Sequence, residues 1–433
     1  MGCDMVVAVG PATENGHTLF GTNRHGVPGG SMALRLNPGR AFALGETVQT
    51  QVVALPQARQ TFTVLGIQPL NTWGYQHGIN EHEVVAACAA WQSKLASDQP
   101  GLAGTDLVRL ILERCRSARQ GFELLTGLVS RHGQGRGVSA GRGAESDHIF
   151  LLADPTEAYV VEAAGSAWAS LECSRVRAVS DVGLIRQDWQ RLSPGLAEEA
   201  ITHGWWPDDG SKLDFSAGLN VNREGRESAL RRWGRATLLL EEQSGHIDAS
   251  VFRRLLADHY EMTSSEVDPL APLGPVSICR HASAGQATAT TSSFIAELGR
   301  GPESPTIAWC AFGPPCGGIY LPLFLNAELP EGLCGEEPAN LACQLQNVQI
   351  AMSRDSDCWN QLRHSLSLFQ ARLDQQTEEF CAEAAGLKAK GEQTLLRRQA
   401  GLFMQSQLEQ LETELQRYQF VRALVPEKVV ARV

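Results

Sequence analysis

The first 25 residues constrain the fold most strongly, because they predict a β-hairpin that carries a cysteine at its start. Residues 3–9 form a short apolar run in which three of seven side chains are β-branched. The dipeptide Asn15-Gly16 favours a tight turn, since it readily adopts the positive φ angles that such turns need. Residues 17–23 then return as the second strand. The sequence therefore predicts a hairpin with Cys3 at the beginning of its first strand.

The position of Cys3 allows three interpretations. If Met1 and Gly2 are removed, Cys3 becomes the first residue, and its α-amine, with a pKa of about 7.7–8.0, can act as the base that activates the thiol. Met1-Gly2-Cys3 also resembles the start of a doubly acylated membrane anchor, although Val6 stands where the myristoylation pattern has Ser or Thr. In the third interpretation Cys3 is a buried structural cysteine.

Segments along most of the chain resemble those of the secernins and their bacterial dipeptidase relatives of the C69 type. These proteins form part of the cysteine branch of the N-terminal nucleophile hydrolases. The likeness is collinear from Cys3 to about Leu323, and its order and spacing are more specific than any single motif. The matching segments are Cys3-Asp4, residues 19–23, Trp73-Gly74, residues 78–82, 106–110, 132–135, 152–158, 161–165, Trp168-Ala169, residues 204–206 and 277–281.

Charge and cysteine content narrow the classes of partner and compartment. A net charge of −11 and a pI of about 5.5 argue against nucleic acid or an anionic membrane as a partner. No apolar stretch approaches the roughly 20 residues that span a bilayer, and no secretory signal opens the chain. The eleven cysteines are odd in number and irregularly spaced without a C-x-x-C motif, which predicts neither disulfides nor a metal site. We expect a reduced, cytoplasmic protein without a cofactor.

The order of the elements predicts an α+β fold. Strands, then two helices, then further strands indicate two sheets with helices outside them. Thr105 and Ser117 are the predicted caps of the two helices, and strands are predicted near residues 49–55 and 276–279. The resemblance implies the four-layer αββα sandwich of the N-terminal nucleophile hydrolases.

The order of the predicted elements divides the chain into two regions. Residues 3–325 are predicted to form the hydrolase-like domain, with a helical insertion at about 186–260. Residues 338–425 are predicted to form a C-terminal helical region. Their apolar spacing does not keep strict heptads, so we expect packed helices or a helical hairpin and not a long coiled coil.

Amide hydrolysis at Cys3 needs a nucleophile, a base and donors for the oxyanion. Cys3 supplies the thiol, and its freed α-amine supplies the base. The resemblance implies that Asn23, the position of Cys88, and Ser180 or Asp181 support the substrate or the oxyanion. Asn80 and Asp154 have an alternative role in fixing turns.

The chain departs from the family pattern at three positions. Thr22 stands where relatives have Arg or Lys, His25 where they have Asp, and Cys88 where they have the oxyanion Asn. Strand alternation is expected to point Arg24 to the opposite face from Asn23, which limits its use as a substitute cation.

Three functional hypotheses remain from the sequence. The first is a thiol hydrolase that cleaves dipeptides or related small amides. Its expected partners are this small substrate and, in a possible homo-oligomer, a second copy of the chain. The second is a secernin-like protein that keeps the fold, has little or no peptidase activity and acts through protein interactions. The third is an N-acyl amidase of the bile-salt and penicillin type, which shares the nucleophile but matches fewer segments.

Overall fold

A computed structural model describes residues 2–27, 32–97, 99, 101–135, 147–221, 226–266, 268, 270, 276–282, 288–301, 304–325, 327–333 and 341–424. The strands are β1 Cys3–Ala8, β2 Thr18–Gly26, β3 Met32–Asn37, β4 Thr47–Gln49, β5 Ala54–Pro56, β6 Val64–Pro69, β7 His77–Asn80, β8 Val85–Trp91, β9 Asp147–Ala153, β10 Ala158–Ala164, β11 Ala167–Glu172, β12 Val176–Val179, β13 Arg191–Leu192, β14 Ala289–Leu298, β15 Ile307–Phe312 and β16 Leu321–Phe324. The α-helices are α1 Gly104–Arg114, α2 Ala118–His132, α3 Leu196–Thr202, α4 Phe215–Leu219, α5 Arg226–Glu242, α6 Ala249–Leu256, α7 Leu341–Met352, α8 Ser356–Ala389 and α9 Gln393–Leu424.

Two large antiparallel sheets form the centre of the molecule. The six-stranded sheet has the order β12-β1-β2-β14-β15-β16, and the eight-stranded sheet has the order β13-β11-β10-β9-β8-β7-β6-β3. Strand β1 contacts β8 across the space between the sheets. Apolar side chains of both sheets, among them Met5, Val7, Ile79 and Ala87, share one buried cluster there.

Helices cover the outer face of each sheet. Helices α1 and α2 pack on the eight-stranded sheet, and α5 and α6 pack on the six-stranded sheet. Helices α7, α8 and α9 pack on one another and on the β15–β16 end of the same sheet. The predicted α+β class and the four-layer αββα arrangement with C-terminal helices are confirmed. Within the described part of the chain, no helix is both long and apolar enough to cross a membrane.

The predicted opening hairpin forms, but residues 9–17, which include a 3₁₀ helix at Gly10–Ala12, connect its strands in place of a tight turn. Strands β1 and β2 pair antiparallel, with Cys3 opposite Arg24 and Asp4 opposite Asn23. In the connection, Asn15 Oδ1 accepts a hydrogen bond of 3.0 Å from the backbone N–H of His17. Gly16 has a φ angle of +78°, which favours glycine because it lacks a Cβ.

Local predictions elsewhere had mixed outcomes. Ser117 caps α2, since its side chain accepts a hydrogen bond from the backbone N–H of Gln120. The prediction for Thr105 was wrong, because α1 begins one residue earlier, at Gly104. Residues 49–55 do not form one strand but turn between β4 and β5. Residues 276–279 are not a strand, and the N–H of Cys279 donates instead to Asp258 O at 3.1 Å.

Asn80 fixes the turn that follows β7 and joins it to α1. Its Nδ2 donates to the carbonyl oxygens of Leu112 and Cys115 at 2.9 and 2.8 Å. Its Oδ1 accepts from the backbone N–H groups of His82 and Val84 at 2.9 and 3.0 Å. The side chain is fully buried, so it satisfies four backbone groups that water cannot reach.

We therefore predict that Asn80→Ala lowers the free energy of unfolding by about 3 kcal/mol or more, because buried donors and acceptors lose their partners. Urea denaturation measures the change. Asn360→Ala, on the exposed side of α8, is the control and should change stability by less than about 0.5 kcal/mol. Equal effects of the two substitutions would contradict a structural role for Asn80.

Candidate functional site

The side chain of Cys3 points into the space between the two sheets. It is 3% exposed and belongs to the buried cluster that the sheets share. The amide Nε2 of Gln76, at the start of β7, lies 3.5 Å from Cys3 Sγ. The thiol therefore meets a hydrogen-bond donor that comes from the opposite sheet.

Arg24 lies on the same face of the sheet as Cys3, because residues directly opposite one another in an antiparallel pair project to the same side. Its guanidinium is buried, and Nη1 donates to Thr291 Oγ1 at 2.8 Å. Strand alternation does separate Arg24 from Asn23, but it is Arg24 that shares the face of Cys3. A buried cation thus stands beside Cys3 although Thr22 supplies none.

Gln76 is the site residue that the sequence reasoning missed. Its Nε2 donates to the backbone carbonyl of Cys88 at 2.6 Å and lies 3.5 Å from Cys88 Sγ. An amide N–H is a stronger donor than a thiol. In the sequence, the only indication of a role for Gln76 is that this polar residue lies between Trp73-Gly74 and residues 78–82, two segments that resemble the family.

Cys88, in contrast, is a weak candidate for oxyanion support. Its side chain is fully buried and belongs to the core that the eight-stranded sheet forms with α1 and α2. Burial raises the pKa of the Cys88 thiol well above its ordinary value, and the neighbouring Cys3 adds to this effect. Cys88 therefore stays a neutral thiol, and Gln76 stands between it and Cys3.

Burial also controls the ionisation of Cys3 while Gly2 is attached. It raises the pKa of the Cys3 thiol to about 11, against the opposing effect of Arg24. The carboxylates of Asp181 and Asp4 raise the pKa further. The thiol is therefore protonated at neutral pH, and a base is needed to make it a nucleophile.

A network of charged side chains occupies the other face of β1, beneath α5. Arg232 Nε donates to both oxygens of Asp4, at 3.1 and 3.0 Å. The hydroxyl of Ser180 also donates to Asp4, and Arg232 Nη2 donates to Ser180 Oγ at 3.1 Å. Burial raises the pKa of Asp4, but Arg232 and the hydrogen bond from His25 outweigh it and hold the pKa below its usual range.

Asp181 extends this network to the backbone before Cys3. It forms an ion pair with Arg232, and its Oδ2 lies 3.7 Å from Arg280 Nη2. A Cβ at Gly2 would collide with the Asp181 carboxyl group, so Gly2 packs directly against it. Burial raises the pKa of Asp181, but Arg232 and Arg280 dominate and lower it, so the group is a carboxylate at neutral pH.

Asn23 does not face the Cys3 thiol. It lies on the helix-covered face, where Nδ2 donates to the carbonyl oxygens of Leu256 and Ile278 at 2.7 and 3.1 Å. Asn23 therefore joins β2 to the end of α6 and to the segment before β14. Its predicted support of the substrate or oxyanion is not what this geometry provides.

Among the described residues, no group of potential metal ligands includes Cys3. Among the residues that the structure describes, the group with ligand atoms within 4.8 Å of one another consists of His259, Cys279, His281 and Cys316.

Comparisons with known proteins give distant structural likenesses. No family model matches the sequence. A variant of conjugated bile acid hydrolase from Clostridium perfringens is 12% identical with a TM-score of 0.44, over 77% of this chain and 95% of that chain. Penicillin V acylase from Agrobacterium tumefaciens is 13% identical with a TM-score of 0.39, over 72% and 83%. The Caenorhabditis elegans orthologue of N-acylethanolamine-hydrolyzing acid amidase is 10% identical with a TM-score of 0.31, over 68% and 92%.

His25 is held neutral by its surroundings. Burial lowers the pKa of His25 to about 4, and the nearby Arg280 adds to the effect while Asp4 opposes it. Its Nε2 lies 2.9 Å from Asp4 Oδ2, and its Nδ1 lies 3.2 Å from Thr290 Oγ1. Because a carboxylate only accepts, Nε2 carries the proton and Nδ1 accepts from the Thr290 hydroxyl.

This shift predicts a loss of stability in mild acid. The unfolded chain protonates His25 below pH 6.5, whereas the folded chain does so only below about 4, so the unfolded state binds more protons between these values. The free energy of unfolding should fall by about 3 kcal/mol through this window, and His25→Gln should remove that fall. Urea titrations of both proteins at about pH 7 and about pH 4.5 measure the difference.

Comparing the two proteins isolates His25 from other titrating groups. Burial raises the pKa of Glu162 to about 7, which acts in the opposite sense, but it does so equally in both. The stabilisation from the Asp4 carboxylate is lost only below its ordinary pKa of 3.8. The same pH dependence in wild type and variant would contradict a buried neutral His25.

Proposed function

We propose that the protein is a cysteine-dependent N-terminal nucleophile hydrolase that cleaves dipeptides or related small amides. The observation that supports this most is the setting of Cys3. Its thiol lies between a buried cation, Arg24, and an amide donor, Gln76. The backbone before it packs against the carboxylate of Asp181. The sequence resemblance to secernins and dipeptidases supplies the substrate class.

The first step is hydrolysis of the peptide bond between Gly2 and Cys3, in which one water molecule is consumed and Met1-Gly2 leaves with a free carboxyl group. It converts the backbone nitrogen of Cys3 into an α-amine, whose pKa near 8 suits a general base at neutral pH. Gly2 is buried, and its carbonyl oxygen accepts from the backbone N–H of His25 at 2.9 Å. Its departure frees a buried space beside Asp181 and Arg280, next to the new amine.

Acylation then follows from the positions of the side chains. The amine takes the thiol proton, the sulfur attacks the carbonyl carbon of the substrate, and a C–S bond forms. Arg24 favours the thiolate that this requires. The oxyanion accepts a hydrogen bond from Gln76 Nε2–H, and the protonated amine returns its proton to the leaving nitrogen as the C–N bond breaks.

Deacylation reverses the roles. The free amine takes a proton from water, and the resulting hydroxide attacks the thioester carbonyl. The C–S bond breaks, the carboxylic acid leaves, and the thiol regains the proton. Asp181 stands where its charge stabilises the ammonium form of the amine, so the pKa of the amine is higher than in its absence.

The proposal predicts that Cys3→Ala abolishes hydrolysis without unfolding the protein. Cys115→Ala is the matched control, since both cysteines are 3% exposed and Cys115, at the C-terminal end of α1, belongs to a different core from Cys3. Gln76→Ala should lower kcat about 10²–10³-fold, as the loss of an oxyanion donor does elsewhere. Cys88→Ala should cost far less.

A panel of free dipeptides and N-acylated amino acids is the assay. Cleavage of dipeptides by the wild type and not by Cys3→Ala supports the proposal. Equal activity of wild type and Cys3→Ala contradicts it. If a protein that begins at Cys3 cleaves nothing in the panel, the proposal is wrong and the non-catalytic, secernin-like alternative is favoured.

A further inference from the structure

Four side chains from three separate parts of the chain meet at one point behind the six-stranded sheet. His259 follows the end of α6, Cys279 and His281 lie in the segment before β14, and Cys316 lies in a 3₁₀ turn between β15 and β16. One ligand atom of each lies within 4.8 Å of all the others. His281 Nε2 is 3.6 Å from Cys279 Sγ and 3.1 Å from Cys316 Sγ.

We propose that these four residues bind one zinc ion in a structural site. Two cysteines and two histidines are a donor set of tetrahedral structural zinc sites. With Zn–N and Zn–S bonds of about 2.0–2.3 Å, neighbouring ligand atoms of a tetrahedron stand about 3.3–3.8 Å apart. The two distances from His281 are close to this range, so small side-chain shifts complete the geometry.

Charge and burial fit a divalent ion. His259 and Cys279 are buried, and His281 and Cys316 are partly buried. Two thiolates balance the charge of Zn²⁺, so the loaded site is neutral in an environment that penalises isolated charge. Four protein ligands also leave no open position, which distinguishes a structural site from a catalytic one.

The orientation of His259 points to the same conclusion. Its Nδ1 lies 3.2 Å from Glu261 Oε1, and its backbone N–H donates to Glu261 Oε2 at 2.7 Å. Because the carboxylate only accepts, Nδ1 carries the proton and Nε2 presents a lone pair. Among the described residues this buried Nε2 has no nitrogen or oxygen partner, and the side chain that it meets is the Cys316 thiol. A carboxylate behind a ligating imidazole is the usual second partner in zinc sites.

The ring of His281 is also held in place. Trp359 of α8 packs against it edge to face, with ring centroids 5.6 Å apart at 85°. Zinc at this point would therefore join α6, the segment before β14 and the β15–β16 connection, next to a helix of the C-terminal region.

The zinc ligands flank a residue of the candidate active site. Arg280 lies between Cys279 and His281 in sequence, and its guanidinium reaches Asp181, which packs against Gly2. Its backbone N–H donates to Thr290 Oγ1 at 2.9 Å. The metal would fix the backbone on both sides of Arg280 and thereby its position beside Asp181.

The irregular cysteine spacing led us to expect no metal site. Only Cys279 and His281 are close in sequence, and a C-x-H pair is not a zinc signature by itself. His259 and Cys316 are 20 and 37 positions from Cys279, separations that the fold and not a motif brings together.

The zinc content of the purified full-length chain tests the site. We expect one zinc per chain in the wild type after dialysis against metal-free buffer, and its loss in Cys279→Ser. Cys310→Ser is the matched control, because Cys279 and Cys310 are both 0% exposed and only Cys279 is a ligand. Cys310→Ser should keep its zinc.

A second measurement does not depend on a variant that folds. Zinc is removed from the wild type with a chelator and replaced by Co²⁺, and two thiolate ligands should give intense sulfur-to-cobalt charge-transfer absorption. Glu261→Gln should weaken zinc affinity by about 10–100-fold in competition with a chromophoric chelator, as loss of a partner behind a ligating histidine does elsewhere.

Three results would overturn the proposal. They are a wild-type protein that holds no zinc and gives no thiolate–cobalt bands, a Cys279→Ser protein that keeps its zinc, and a disulfide between Cys279 and Cys316 in protein isolated without oxidant. None of these outcomes depends on whether the protein hydrolyses amides.

Discussion

The buried pair between Asp4 and Arg232 is the interaction on which the rest of the site depends. It ties the first strand to α5, and Ser180 and Asp181 link it to the end of β12. Both charged side chains are nearly inaccessible, with exposures of 2%. Removing one partner of such a pair costs about 3–5 kcal/mol, because the other charge stays buried and unpaired. Strand β1 is therefore firmly joined to α5.

Because side chains alternate along β1, Asp4 and Cys3 project to opposite faces of the six-stranded sheet. Asp4 faces the helices, so its neighbour Cys3 must face the opposite sheet, where Arg24 and Gln76 meet the thiol. The backbone nitrogen of Cys3 lies at the boundary of the two environments. Asp4, Asp181 and Arg232 lie on one side, and Arg24, Gln76 and the apolar core that the two sheets share surround the thiol on the other. The thiol and the backbone nitrogen of Cys3 thus lie in different electrostatic surroundings.

The sequence predicts those parts of the molecule that depend on local chemistry. Asn15-Gly16 specifies the bend before β2 and Ser117 the helix cap, because each acts within a few residues of itself. Which residue faces Cys3 was harder to predict. Asn23 matched the family segment, yet the register places Arg24 opposite Cys3. Register depends on pairing with β14 as well as β1, and no single segment contains that information.

Contacts between distant segments were not predictable at all. Gln76 meets Cys3 because the two sheets stack. His259 meets Cys279, His281 and Cys316 because α6 packs on the six-stranded sheet. Motif spacing describes ligands that are neighbours along the chain and is silent on ligands that meet through tertiary packing. Because local sequence does not show tertiary placement, Thr22 led us to expect a site without a cation, whereas Arg24 supplies one.

The proposed hydrolysis requires that Cys3 is a free amino-terminal residue. Intact-mass and amino-terminal sequence determination on an active preparation tests it most directly. We expect a chain that begins at Cys3. In Asp181→Asn we expect incomplete removal of Gly2, because the Asp181 carboxylate packs against Gly2. A preparation that hydrolyses its substrate while every chain retains Gly2 would contradict it.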